Sequence, residues 1–443
     1  MRIVLNFVFV IIVGSFLAPP SLLQGQWDPP EGYYSQATGT GTLLKNQLES
    51  AMSAGHIEGR YGDFRFSAAI HDQAPSNSNN IRLVYDGTSV NSMWDSGATW
   101  NREHVWPQSR QPGSASNSTR GNLGDPHALR PARPSVNSSR GNNPFGFGDT
   151  MSSFGNNNGF WFPGSDCIGD IARSLFYSDT RWTSLGLSIV NGNPSGNEMG
   201  DLASLIEWHY LDPPDEFERR RNHTIFSSEF NPDYFTNNRN AFIDHPEFVW
   251  SIYVDQQNDS TLTIDGGQIL SDGSSILEID FGDVEVGEAI DATFVITLNK
   301  SGLDGTYYSV LSGGNAFTDR DGIFSAFPIN MSDSQQINVT LDYDANVAGT
   351  YTGALMIDNL DITTEGGIGN GANDGDDLIS LSINVVEPFV LGDIDCNGVV
   401  NLIDVDPFVD LVVIGTFEEK ADINGDGMVN LLDVSGFVDI LAN

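Results

Sequence analysis

The 443-residue sequence is poor in cysteine, in basic residues and in long apolar runs, and each shortage excludes something. Its two cysteines, Cys167 and Cys396, lie far apart in the chain, so the fold does not depend on a disulfide framework. Lysine and arginine number 20 against 59 aspartate and glutamate residues. A chain this acidic repels nucleic acid at long range, so any contact with phosphate must be local.

The few basic residues are unevenly distributed along the chain. Residues 255–443 hold three lysine and arginine residues against 34 acidic residues. Residues 101–150 reverse the sign, with six arginines against three acidic residues. We therefore expect phosphate contacts within 101–150, whereas the acidic C-terminal part suits calcium, a salty medium, or both.

A long apolar run stands at the start of the chain. A basic N-terminus precedes the apolar segment 3–17, which ends before Pro19 and Pro20. This pattern predicts a signal peptide over residues 1–25 and a secreted protein, extracellular or periplasmic. A membrane anchor is the alternative, but the run is shorter than the roughly 20 apolar residues that span a bilayer. No later segment is long enough, so we expect no membrane span in the mature chain.

Three regions follow and predict a multidomain protein. Residues 26–254 combine strand-like segments with helical periodicity, which predicts one α+β domain. Residues 258–388 alternate apolar and polar side chains between turns, which predicts an all-β immunoglobulin-like sandwich. Residues 390–443 contain an internal repeat and predict a small all-α module with paired calcium loops. Within the first region, apolar spacing predicts helices over 43–52, 170–177 and 201–210, and a strand and turn over 81–87.

The segment 100–109 places the carboxylate of Glu103 beside the imidazole of His104. If the segment ends a strand, neighbouring side chains point to opposite faces and have different tasks. Glu103 can hold a hard cation, and His104 can take a proton near neutral pH. Asn137, on a helix or turn predicted over 134–140, can add a carbonyl oxygen to the cation. Phosphodiester hydrolysis needs two groups with different tasks, because a metal neutralises the phosphate while a separate base activates water.

Six ordered motifs extend across the α+β region, and they lie at residues 101–109, 125–131, 136–142, 169–173, 208–222 and 242–247. Together they resemble the bacterial endonuclease I family of exported ββα-metal nucleases, over nearly all of residues 33–254. The resemblance implies that Glu103 and Asn137 are magnesium ligands and that His104 is the general base. It also implies that activated water attacks phosphorus and leaves 5′-phosphorylated ends.

The same family places an arginine on the scissile phosphate. The resemblance favours Arg120 for this role, in the loop between the two halves of the site, and leaves Arg130 and Arg140 as alternatives. We expect His127 to be a buried, hydrogen-bonded support rather than a ligand. The residues expected to support the site are Asn101, Asp125, His127, Arg130 and Arg140.

Two twelve-residue segments near the C-terminus, 393–404 and 422–433, match each other. Each has oxygen-bearing side chains at positions 1, 3, 5, 9 and 12, glycine at position 6 and a backbone carbonyl at position 7, as calcium loops require. The predicted ligands are Asp393, Asp395, Asn397, Val399, Asn401 and Asp404, and then Asp422, Asn424, Asp426, Met428, Asn430 and Asp433. Because each loop ends in aspartate before an apolar helix, the pair resembles a dockerin type I module. That resemblance implies bound Ca²⁺ and a cohesin-like protein partner.

The leading hypothesis is an exported, magnesium-dependent, sequence-nonspecific endonuclease that acts on DNA, RNA or both. The alternative is a catalytically inactive, calcium-dependent adhesion or scaffold protein, against which the intact Glu103, His104 and Asn137 argue. The residues favour neither DNA nor RNA, because a ββα-metal site grips phosphate rather than bases.

Overall fold

The computed structural model describes residues 26–146, 153–254, 258–264, 268–269, 276–360 and 377–442. The signal peptide predicted over 1–25 lies outside the described residues. Within the described ranges, no helix is both long enough and apolar enough to cross a membrane.

Residues 26–254 form a mixed helical and stranded region. Its helices are α1 Gly41–Ser53, α2 Phe64–His71, α3 Pro134–Arg140, α4 Ile168–Arg181, α5 Leu202–Leu211, α6 Glu216–Phe226 and α7 Ala241–Asp244. Its strands are β1 Gln73–Ala74, β2 Asn77–Arg82, β3 Ser89–Asn91, β4 Asn101–His104, β5 Leu129–Ala132, β6 Gly155–Asn157, β7 Phe160–Phe162, β8 Ser188–Ile189 and β9 Glu198–Met199. Helix α4 is buried along most of its length and packs against α1, α5 and α7, so it is the centre of the region.

Helices α1, α4 and α5 occupy the three segments that periodicity predicts, each with slightly different ends. In α1 the buried side chains Leu44, Leu48 and Met52 repeat every four residues, so one face of the helix packs on the core. The strand and turn predicted over 81–87 are confirmed, but the strand begins earlier, at Asn77. Strand β2 ends at Arg82, because the chain turns where Tyr85 takes a positive φ of 78°.

Strands β4 and β5 pair in antiparallel register, with Glu103 opposite Arg130 and His104 opposite Leu129. Helix α3 begins shortly after β5, with Pro134 in its first turn, where a missing backbone N–H costs nothing. The β4–β5–α3 order therefore places the acid and the base side by side on β4, and Asn137 on the helix that follows β5.

Residues 261–386 form a β-rich region of two five-stranded sheets. In order across each sheet, the first contains β11 Gln268–Ile269, β10 Thr261–Ile264, β13 Thr293–Ser301, β17 Asp333–Leu341 and β15 Ala316–Thr318. The second contains β12 Ile276–Glu285, β19 Asp377–Val386, β18 Gly349–Asn359, β14 Thr306–Gly314 and β16 Phe324–Phe327. Alternate residues such as Ile296, Leu298, Ile337 and Val339 are buried in one shared core, which agrees with the predicted all-β region.

The β-rich region packs directly on the helical region. Tyr307 of β14 is fully buried and donates a hydrogen bond to the backbone carbonyl of His209 in α5. The ring centroids of Tyr307 and Tyr210 lie 5.0 Å apart. Arg219 of α6 donates to the carbonyl of Gly322 at 2.7 Å. Tyr307 thus belongs to the same hydrophobic cluster as the helices, and the two regions share a core.

The C-terminal part contains α8 Val405–Ile414 and α9 Val434–Leu441, each preceded by one of the two repeated loops. The rings of Phe408 and Phe437 stack with their centroids 3.9 Å apart. These two buried rings hold the helices together, as a duplicated loop–helix unit requires.

Candidate active site

His104 lies at the end of β4 with its imidazole 8% exposed. Its Nε2 atom is 3.0 Å from the backbone carbonyl oxygen of Leu123. A carbonyl can only accept, so Nε2 carries the hydrogen and Nδ1 keeps its lone pair. No described residue hydrogen-bonds to Nδ1, which can therefore take a proton from a water molecule.

The ring of Tyr61 stacks on the imidazole of His104. The two rings are nearly parallel, at an angle of 20° with their centroids 4.9 Å apart. Burial, helped by the nearby positive charges of Arg102 and Arg140, lowers the pKa of His104 to about 4 against the hydrogen bond to Leu123, which raises it. The imidazole is therefore neutral at neutral pH, as a general base must be.

Glu103 is 2% exposed and faces a different set of partners. The hydroxyl of Tyr85 donates to its Oε1 atom at 2.6 Å, and Nη1 of Arg140 lies 3.0 Å from the same oxygen. Burial raises the pKa of Glu103, while Arg140 and Tyr85 counteract that rise. Among the described residues both polar contacts reach Oε1, which leaves Oε2 to bind a cation.

Arg140 joins the last turn of α3 to β4. It is 1% exposed, and besides Glu103 it donates to the backbone carbonyls of His104 and Val105. Its guanidinium therefore holds the acid and the end of the strand in place.

Asn137 on α3 uses its amide nitrogen to donate to Oδ1 of Asn101 at 2.8 Å. This contact orients the amide and leaves Oδ1 as the free ligand atom. The carboxylate of Glu103 and the amide oxygen of Asn137 are both hard oxygen donors, and Mg²⁺ binds to few protein ligands of this kind while keeping several waters. The donor set fits a magnesium ion.

The remaining arginines differ in exposure. Arg130 is 4% exposed and lies between Asp170 at 2.7 Å and Asp72 at 3.4 Å. Arg120 is exposed and donates to the backbone carbonyl of Glu58. Arg102, which the sequence did not single out, lies with its guanidinium 3.6 Å from the centroid of the Tyr61 ring. Of the three arginines that the resemblance offers, only Arg120 reaches the surface.

Asp125 and His127 brace the turn that leads into β5. Asp125 accepts hydrogen bonds from Tyr177 at 2.7 Å and Trp182 at 3.0 Å. His127 lies 3.2 Å from the carbonyl of Asn238 and is 2% exposed. Both side chains form hydrogen bonds within the protein interior. Both residues are separated in sequence from Glu103 and Asn137.

The sequence does not single out three residues that position the site: Tyr61, Tyr85 and Leu123. Tyr85 lies within 81–87, where the sequence predicts only a strand and a turn. Leu123 acts through its backbone carbonyl, so its side chain carries no signal of that contact. Only the packing of distant segments reveals these partners.

The two loops near the C-terminus have closely similar geometry. Gly398 and Gly427, at position 6 of each loop, have φ values of 84° and 81°, where other residues would be strained. Carboxylate oxygens of Asp393, Asp395 and Asp404 lie within 4.8 Å of one another. Three acids this close repel one another unless a cation lies between them.

A neutral imidazole base, a buried carboxylate and an amide oxygen on a ββα unit define a phosphodiester hydrolase of the nuclease class. Residues 40–247 match the family model described as Endonuclease I. An extracellular ribonuclease of Bacillus amyloliquefaciens is 36% identical over 243 residues, covering 50% of this chain and 78% of the relative. An extracellular ribonuclease of Bacillus subtilis (strain 168) is 37% identical over 234 residues, with the same two coverages. The chain belongs to the endonuclease I family, whose members are in general metal-dependent, and it is a nuclease.

Solved structures add little to this result. The ASH / PapD-like domain of human CEP192 matches 29% of this chain and 86% of its own, at 14% identity. Its TM-score of 0.18 is too low to carry an argument.

Proposed function

We propose that this nuclease is a secreted, magnesium-dependent, sequence-nonspecific endonuclease that leaves 5′-phosphorylated ends. The observation that carries the proposal is the contact between Nε2 of His104 and the carbonyl of Leu123, because it leaves Nδ1 as a base. The relatives are named extracellular ribonucleases, which supports both RNA as a substrate and the export signal expected over 1–25.

In this mechanism Nδ1 of His104 takes a proton from water, and the water oxygen forms a bond to phosphorus. The bond between phosphorus and the 3′ oxygen breaks, and solvent protonates the leaving oxygen. A magnesium ion held by Glu103 and Asn137 would supply positive charge beside the phosphate. Tyr61 and Leu123 keep the imidazole in place, and Tyr85 and Arg140 keep the carboxylate in place.

Arg120 supplies the cation for the phosphate in this proposal. It is exposed, and it lies within residues 101–150, where arginines outnumber acids. Arg130 and Arg140 are already paired with buried carboxylates, so contact with substrate would leave those charges uncompensated.

The direct test is digestion of single-stranded RNA, single-stranded DNA and plasmid by the purified full chain. We expect cleavage with magnesium, none after EDTA, and full recovery when magnesium is restored. Products should be ligatable without prior kinase treatment, since ligation requires a 5′ phosphate. The proposal would be refuted if the protein cleaved none of the three polymers, or if cleavage persisted in EDTA.

We also propose that the C-terminal loops bind two Ca²⁺ ions and that the module docks on a cohesin-like protein. The clustered carboxylates of the first loop support the calcium site. The loop ends Leu402, Ile403, Leu431 and Leu432 are between 66% and 81% exposed. Apolar side chains this exposed, at equivalent places of a repeat, support a protein partner.

A further inference from the structure

A cleft with an empty volume of about 510 Å³ opens beside the His104 side of the active site. Its floor contains the buried side chains of Phe64 and Ser67, and Tyr234 and Phe235 line one wall. Exposed Arg60 and Arg120 lie at its edge, with three carboxylates among the other lining residues: Glu58, Asp63 and Asp233. None of these five charged side chains forms an ion pair within the described part of the chain.

Ser67 is the polar group on the floor of this cleft. It is 3% exposed, and its hydroxyl makes no side-chain hydrogen bond to any described residue. A hydroxyl that faces a cleft without a protein partner is available to a ligand.

The cleft and the catalytic base share their walls. The backbone of Gly59 contacts Gly124 so closely that a side-chain carbon built on Gly124 would lie 2.5 Å from the Gly59 carbonyl oxygen. Residues 60 and 120 form an isolated antiparallel bridge. Tyr61, which follows Arg60, and Leu123, which precedes Gly124, are the residues that hold the imidazole of His104. The cleft therefore adjoins the segments that hold the imidazole.

The lining residues indicate which part of a nucleotide the cleft can bind. The three carboxylates of the lining repel a phosphate, so the cleft suits an uncharged group. Tyr234, whose ring lies nearly parallel to that of the 51%-exposed Phe66, offers an aromatic face. Bases stack on such faces with little regard to sequence, and arginines at an edge track the adjoining phosphates. A base can enter only if it is unpaired, because a paired base stays within its duplex.

We propose that this cleft binds an unpaired base next to the scissile phosphate and so directs the nuclease to single-stranded nucleic acid. The inference rests on the proposed nuclease function and specifies its substrate class. Ser67 donates to an acceptor on the base, Tyr234 stacks on its face, and Arg60 holds the neighbouring phosphate.

The test uses the full chain, with a single-stranded oligonucleotide and the same sequence as a duplex. Tyr234→Ala should raise KM for the single strand about tenfold, as expected for loss of one stacked base, with kcat near the wild-type value. The duplex should be little affected, so the preference for single strands falls. Tyr234→Phe should retain the preference, and Phe230→Ala, which alters the same loop away from the cleft lining, is the matched control.

Ser67→Leu is the second variant, because it fills the floor of the cleft instead of removing its wall. It should lower the preference for single strands in the same way, and Ser50→Leu on the exposed face of α1 is its control. If both cleft variants keep the wild-type ratio of single-strand to duplex cleavage, or lose both activities equally, the proposal is overturned.

Binding separates this proposal from the nuclease function. In EDTA, fluorescence anisotropy measures the affinity for a labelled single strand without cleavage. An active wild type with unchanged binding in Tyr234→Ala would overturn the cleft and leave the nuclease intact. A wild type inactive with magnesium would refute the nuclease function, while a tenfold loss of binding in Tyr234→Ala would still support the cleft.

Discussion

The imidazole of His104 lies 3.0 Å from the backbone carbonyl of Leu123, nineteen residues further along the chain. This contact decides the tautomer of the ring and leaves the lone pair on Nδ1. The proposed catalytic base therefore depends on a backbone atom of the loop between β4 and β5, and the loop conformation would be part of the active site.

Replacing the base should abolish catalysis without unfolding the protein. We expect His104→Ala to lower kcat on RNA by about two to four orders of magnitude, the usual contribution of a positioned base. Circular dichroism and the midpoint of urea unfolding should remain close to those of the wild type. Substantial activity in a folded His104→Ala protein would show that another group activates the water.

Asn101 should control magnesium affinity without touching the ion. In Asn101→Ala the amide of Asn137 loses its 2.8 Å hydrogen bond and is free to rotate. Loss of a residue that orients a metal ligand weakens binding by about tenfold or more, so the magnesium concentration for half-maximal activity should rise by that factor. Saturating magnesium should restore most of the activity. Asn91→Ala, on the exposed strand β3, is the control, and an equal shift in both variants would contradict this role.

His127 should make the protein less stable in mild acid. Burial lowers its pKa from 6.5 to about 4, so the unfolded state takes up a proton over this range while the folded state does not. Its stabilising contribution is complete above pH 6.5 and is lost as the pH falls toward 4. Between pH 7 and pH 5 this residue alone should remove about 2 kcal/mol from the free energy of unfolding.

The measurement is urea unfolding of the wild type and of His127→Gln at both pH values. The variant should be less stable at pH 7, but its free energy of unfolding should fall by about 2 kcal/mol less on acidification. Other buried histidines contribute equally to both proteins and cancel in the difference. Identical pH dependence of the two proteins would mean that His127 does not carry this effect.

The β-rich region should stabilise the nuclease region. Tyr307→Ala removes a fully buried ring from the shared core and should cost about 3–5 kcal/mol of unfolding free energy. All eight tryptophans lie at or before Trp250, so tryptophan fluorescence follows the nuclease region alone. We expect Tyr307→Ala to shift that fluorescence transition, whereas Tyr343→Ala, whose contacts lie within the β-rich region, should shift it much less. Equal, small shifts would indicate two regions that unfold independently.

Each of the two loops should bind one calcium ion. Isothermal titration of the full chain should give two bound ions, and Asp393→Ala or Asp422→Ala should each remove one. Each of these carboxylates accepts backbone N–H groups within its own loop, so its loss also loosens the loop. Asp410→Ala, on the exposed side of α8, should bind like the wild type. An unaltered stoichiometry in the two loop variants would place the calcium elsewhere.

Local patterns were sufficient for much of the fold. Apolar spacing located α1, α4 and α5, and alternation located the β-rich region, because burial of one face of a helix or strand leaves a periodic trace. The ends of elements were less predictable. The strand and turn expected over 81–87 are present, but the strand runs from Asn77 to Arg82. The hydroxyl of Tyr85, at the turn, bonds to Glu103, a contact with another segment that the local pattern does not show.

The sequence by itself determined the chemical parts of this protein: Glu103 beside His104, Asn137 on the following helix, and two matched loops of acidic residues. These are properties of neighbouring residues, and a short motif carries them. Only the tertiary structure decided which nitrogen of His104 keeps its lone pair, which of the three candidate arginines reaches the surface and which regions share a core. Those outcomes depend on a backbone carbonyl, on burial and on contacts between residues as far apart as His209 and Tyr307, and none of them leaves a trace in the local sequence.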